Sequence, residues 1–132
     1  MAIDWTDAVE NAQADQDAAR CPYASIHTAS AAGTGANEAT GGSPAYSREA
    51  LSFNAAGAEG PLGASQPATV GIAWGSATFD LPAGTFVEYG LWSASTGGTF
   101  RGSGALPIDG GLVLASQGTL SVSVAVGPNA PA

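Results

Sequence analysis

His27 is the only histidine and Cys21 the only cysteine in a chain that contains no lysine. A thiol and an imidazole six positions apart could serve as nucleophile and base. Their setting argues otherwise: His27 falls in an alternating, strand-like stretch, and Cys21 closes a helical one beside Pro22. The expected roles are a sheet histidine with one hydrogen bond and a small buried thiol. Two carboxylates can cleave a glycoside, and Asp80 and Glu88 flank a turn at 82–84 that could set them face to face across a hairpin. Nothing local marks either as more than a solvent-facing strand acid. Zinc asks for three or four Cys, His or carboxylate ligands, more than one cysteine and one histidine suggest. Asp15 and Asp17 have the first spacing of a calcium loop without its glycine or closing glutamate. Gly33 and Gly35 lack the third glycine of a dinucleotide fingerprint. No catalytic residue, no metal and no cofactor is therefore expected. Among the aromatics, Trp74, Tyr89 and Trp92 lie in strand-like segments and read as core, whereas Trp5 and Tyr46 lie outside them and read as partner contacts.

Composition narrows the classes further. Charged residues make up 11% of the 132, against roughly 25% in an average soluble domain. The surface must then be Ala, Gly, Ser and Thr, as in a subunit interface. With 11 acids, three arginines and a net charge of −8, the chain cannot replace the counterions of a nucleic acid, and an anionic membrane would repel it. A single cysteine forms no intrachain disulfide. The N-terminal MAIDWTDAVE reads as no secretory signal, and no apolar run approaches the ~20 residues of a membrane span.

The elements that must position these residues divide the chain in three. Residues 1–20 predict an acidic helical arm, with Trp5, Ala8, Val9, Ala12 and Ala19 along one face. Asp4 or Thr6 is its N-cap, Asp7 and Glu10 suit its first turn, and Arg20 suits its last. That face should dock on its own domain or on a neighbouring subunit. Residues 21–126 switch to period 2. The clearest strand is 119–126, and Val70, Ile72 and Trp74, then Ala77, Phe79 and Leu81, repeat the alternation. Residues 86–92 carry large side chains on both faces, and further strands are expected at 23–28, 48–53, 99–105 and 111–115. Gly- and Pro-rich turns separate them, and 29–46 reads as one long surface loop. The expectation is an all-β fold, an antiparallel β-sandwich of jelly-roll or immunoglobulin type with a short N-terminal helical arm. Residues 127–132 should form an extended tail.

The motifs S-x-H-T at 25–28, TGANE-x-TGG-x-PAY-x-R at 34–48 and YGLW-x-A-x-TGG at 89–98 are specific when taken together. Over roughly residues 22–126 the chain resembles small accessory virion proteins of tailed bacteriophages, particularly those of actinobacteria. These are minor tail or tail-fibre proteins, some of them similar to capsid decoration proteins. Ser30, Ala31 and Ala32 stand where such proteins often carry an Asp-Pro turn, and the arm is unusually acidic, with five acids against one arginine. The resemblance implies a non-enzymatic structural component on the outer surface of a virion, a minor tail or fibre-like protein assembled in the host cytoplasm. The alternatives are a capsid decoration protein and a carbohydrate-binding host-attachment module. Its partners would be other virion proteins, tail or major capsid, and further copies of itself in a homo-oligomer, a trimer among the orders open. A host-surface glycan is a further candidate. Trp5, Val9, Tyr46 and Arg48 are the expected assembly residues, Arg48 pairing with a carboxylate inside the fold or across an interface.

Overall fold

Burial alternates along the strands at 73–81, 100–105 and 118–126, as period-2 patterning requires, whereas four successive residues of the strand at 23–27 are buried. A computed structural model describes residues 3–131. Among them are one helix, α1 (Asp7–Arg20), and the strands β1 (Tyr23–His27), β2 (Glu49–Ala50), β3 (Ser52–Phe53), β4 (Ala73–Leu81), β5 (Gly84–Phe86), β6 (Glu88–Trp92), β7 (Phe100–Ala105), β8 (Leu112–Leu114) and β9 (Gly118–Val126). They form a sheet of order β2-β1-β6-β7, one of order β3-β4-β9, and the pair β5-β8. The fold is β-rich, with antiparallel sheets and one short helix. The chain divides into two units.

The first unit holds the chain up to Arg20, Leu51–Ser76 and the chain from Val122 onward. Thr6 is the N-cap of α1: its Oγ1 accepts from Val9 N at 3.3 Å and its carbonyl from Glu10 N at 3.0 Å. The helix does not dock on the face its apolar residues mark. Trp5, Ala8, Val9, Ala12 and Ala19 are all exposed, while Ala14 is the buried residue. The inward face is polar because the loops beneath it present backbone N–H groups outside any ladder, and these need acceptors. Asn11 Oδ1 accepts from Gly71 N at 2.8 Å, and Asp15 Oδ1 accepts from Ala56 N at 2.8 Å. Ala14 sits against Gly127, where a Cβ would collide with it.

Three further expectations change in this unit. Val70 and Ile72 belong to no strand, since Gly71 turns at φ +74° and the strand starts at Ala73. Trp74 therefore lies on the face opposite Ala77, Phe79 and Leu81. The stretch 48–53 is broken at Leu51, so that Glu49 and Ala50 pair with β1 while Ser52 and Phe53 pair with β4. The tail is a turn rather than an extended arm. Asn129 N donates to Gly71 O, and Asn129 Nδ2 donates to Glu10 Oε2 at 3.0 Å and Val70 O at 2.9 Å. Gln66, fully buried, donates to Gly75 O and Ser123 Oγ and accepts from Leu62 N.

The second unit comprises Cys21–Ala50 and Ala77–Ser121. Its core includes Ala24, Ile26, Phe79, Leu81 and Phe86. Each large side chain buried there contributes roughly 1.5–3 kcal/mol. β6 and β7 form a hairpin with a register shift between Leu91 and Trp92, closed through Gly97 and Gly98 at φ +59° and +73°. Such angles favour glycine. The stretch 29–46 is no loose loop. Ala31 and Ala39 are buried, Ala39 N bonds Ile26 O, Thr28 N bonds Asn37 O, and Glu88 Oε1 accepts from Ala31 N at 3.0 Å.

Candidate functional site

The second unit gathers Ser25, His27, Glu38, Tyr46, Arg48 and Trp92 into one cluster. Tyr46 is delivered by the turn in which Tyr46 N bonds Gly41 O, and Arg48 enters just before β2. Glu38 is fixed by an isolated bridge to His27. Arg48 Nε and Nη2 grip Glu38 in a fork, with Nε–Oε2 and Nη2–Oε1 both at 3.0 Å. Its Nη1 donates to Gly97 O at 2.8 Å and Ala94 O at 3.2 Å. Its guanidinium carbon stands 3.5 Å from the centre of the Trp92 ring. Arg48 thus pairs inside the fold. Its side chain is 10% exposed and that of Glu38 22%. A desolvated fork of this kind stabilises only with further hydrogen bonds, which here the two carbonyls on Nη1 and the Tyr46 hydroxyl on Glu38 supply.

Tyr46 completes the arrangement. Its hydroxyl donates to Glu38 Oε2 at 2.8 Å and accepts from Ile26 N at 3.1 Å, and its ring stacks on Phe79. Burial pushes its phenol far above the ordinary 10.0; the Ile26 N–H pulls the other way, and the Glu38 carboxylate adds to the rise. Burial also raises the Tyr89 phenol.

Behind Trp92 runs a second chain of bonds. Ala36 O, which can only accept, lies 2.7 Å from His27 Nδ1, so Nδ1 carries the proton. His27 Nε2 then accepts from the Ser25 hydroxyl at 2.7 Å, and Ser25 Oγ accepts from Trp92 Nε1 at 2.8 Å. Phe100 meets both His27 and Trp92 edge to face. A hydroxyl on an imidazole whose other nitrogen is held by an acceptor has the connectivity of a nucleophile and its base. Ser25 and His27, however, have no exposed surface. What the relay does here is fix the Trp92 ring beneath Arg48. Gly35, at φ +81°, lies so close to that ring that a Cβ would collide with it. Above Arg48 an open groove of about 350 Å³ is edged by Glu38, Thr40, Ser47, Ser95 and Thr96.

The expected site residues separate. Tyr46 and Arg48 belong to this cluster; Trp5, just ahead of α1, and Val9, on it, are exposed in the first unit, at 48% and 37%. His27 makes two hydrogen bonds rather than one, and Cys21 is a buried thiol. Asp80 and Glu88 lie on β4 and β6, in different sheets, so no hairpin sets them opposite each other. Asp15 caps a backbone N–H, and among the described residues no group of three or more His, Cys, Asp or Glu converges as a metal site would require. Among the same residues no helix is long and apolar enough to cross a membrane. Trp92 is buried, while Trp74 and Tyr89 are half-buried, Trp74 donating to Pro67 O. Sequence reasoning missed Ser25, Glu38 and the Arg48–Trp92 stack. Their signal was present in the two dense motifs at 25–28 and 34–48.

Neither the curated proteins nor the solved structures contain a match to the chain. Residues 5–122 do match a family described as podophage GP4 fiber I protein gp80. That span covers most of the chain and includes every member of the Arg48 cluster, and the protein belongs to this family of phage fibre proteins.

Proposed function

We propose that the chain is a non-enzymatic minor tail or fibre-like accessory protein on the outer surface of a tailed-phage virion, its sheets layered as a sandwich of jelly-roll or immunoglobulin type. Family membership across residues 5–122 is the observation that carries this reading. The cluster supports it physically. Its arginine, its glutamate, its tyrosine hydroxyl and its histidine are all engaged in holding loops to a sheet, which is the work of a rigid body. Alternating burial in β4 and β9 and the order β2-β1-β6-β7 support the sandwich. A net charge of −8 suits a position away from nucleic acid.

Quantitative mass spectrometry of purified virions, with gold labelling under the electron microscope, tests the proposal. A handful of copies per particle with label on the tail is the expected result. Hundreds of copies with label over the shell would instead make it a decoration protein, and absence from the particle would refute both readings.

A further inference from the structure

Helix α1 is mounted the wrong way round for a helix that has finished folding. Its polar side, through Asn11, Asp15 and Glu10, is bonded to the rest of its unit, and its apolar side faces outward. Val9 and Ala12 continue an outward stripe that begins ahead of the helix with Ile3, 66% exposed, and Trp5, 48% exposed. Val9 is held on an anchored helix, and Trp5 stands beside the Thr6 cap at its start, so these side chains lose less freedom on binding than those of a free segment, which favours a docking role.

Charge decides what can cover this stripe. Asp4 and Asp7 are exposed beside it, and no cation lies in the segment before Arg20. A second copy is poorly suited. Each copy carries a net charge of −8 and has only three arginines to set against its neighbour's acids, and of these Arg48 is engaged with Glu38. We infer that the outward face of α1, together with Trp5 just ahead of it, docks onto a different virion protein that offers an apolar pocket rimmed by lysine or arginine. This inference rests on the virion reading and names its attachment surface.

The test uses particles grown without this chain and the purified full-length protein added back, with bound copies measured after sedimentation. Wild-type protein should rebind, Trp5→Ala should weaken rebinding at least about tenfold, and Leu62→Ala, at another exposed apolar residue of the same unit, should leave it unchanged. Raising the salt from about 50 to 500 mM should weaken wild-type rebinding, because the flanking charges are exposed. Equal rebinding by Trp5→Ala, or rebinding indifferent to salt, would overturn the inference. So would self-association in the ultracentrifuge that Trp5→Ala abolishes, since the occupant would then be a second copy. If the chain is missing from normally grown particles, the virion reading fails first. If it is present there but Trp5→Ala rebinds fully, only the docking surface fails.

Discussion

Helix α1 and the Arg48 cluster both tie polar side chains into hydrogen bonds, yet they leave opposite surfaces behind. In the first unit the polar groups of α1 turn inward to cap loop N–H groups at Ala56 and Gly71, and the apolar groups are left in water. In the second unit Arg48, Glu38, Tyr46, Ser25 and His27 are matched with one another and packed among Trp92, Phe100 and Phe79. Among the described residues, every buried side-chain nitrogen and oxygen has a partner. The cluster is therefore a brace whose hydrogen-bonding capacity is satisfied, while the helix is a handle whose outer face is still uncovered. Hydrogen-bonded polar groups by themselves do not mark a functional surface; what they leave exposed does.

Substitutions at five residues separate brace from handle. Arg48→Ala should have the largest effect, about 3–5 kcal/mol lost in urea unfolding, because it strands Glu38 and uncovers the Trp92 face. Arg48→Lys should recover little of this, since an ammonium makes neither the fork nor the stack. Ser25→Ala should cost roughly 1–3 kcal/mol by orphaning His27 Nε2 and Trp92 Nε1 together. Tyr46 gives a pH signature. Its folded phenol holds its proton above the ordinary 10.0, so the unfolded chain ionises first. The contribution is complete below pH 10 and is lost above it, at up to about 1.4 kcal/mol per pH unit. Tyr46→Phe should flatten that slope in unfolding curves taken between pH 9 and about 11, leaving a smaller slope from Tyr89. The smallest effect belongs to the outer face of the handle. Trp5→Ala should change stability by no more than about 0.5 kcal/mol, whereas Asn11→Ala on the inner face should cost about 1 kcal/mol.

The strand at 118–126 was legible because alternation with β-branched residues has one physical meaning, burial on one face. The strand at 23–27 is buried on both faces. The helix was legible too, with Thr6 as one of two candidates for its cap. Its facing was not. Periodicity says which residues share a face but not which way that face points, and here hydrogen bonds to Gly71 and Ala56 outweighed the modest gain of burying alanines. The break at Leu51 and the turn at Gly71 were hidden because a β-like composition continues across both. Arg48 could be read as one member of an ion pair. Glu38 could not be chosen from 11 acids, because its partnership depends on a bridge to His27 that is long-range in cause and local only in appearance.

A reconstruction of the intact virion that resolves side chains around this chain would test the account most directly. It should show Trp5 and Val9 seated in an apolar pocket of a different protein, with lysine or arginine opposite Asp4 and Asp7, and the Arg48–Glu38 fork intact under its loops. Trp5 and Val9 standing in solvent, with the partner protein instead contacting Arg48 and Tyr46 through an opened cluster, would contradict it.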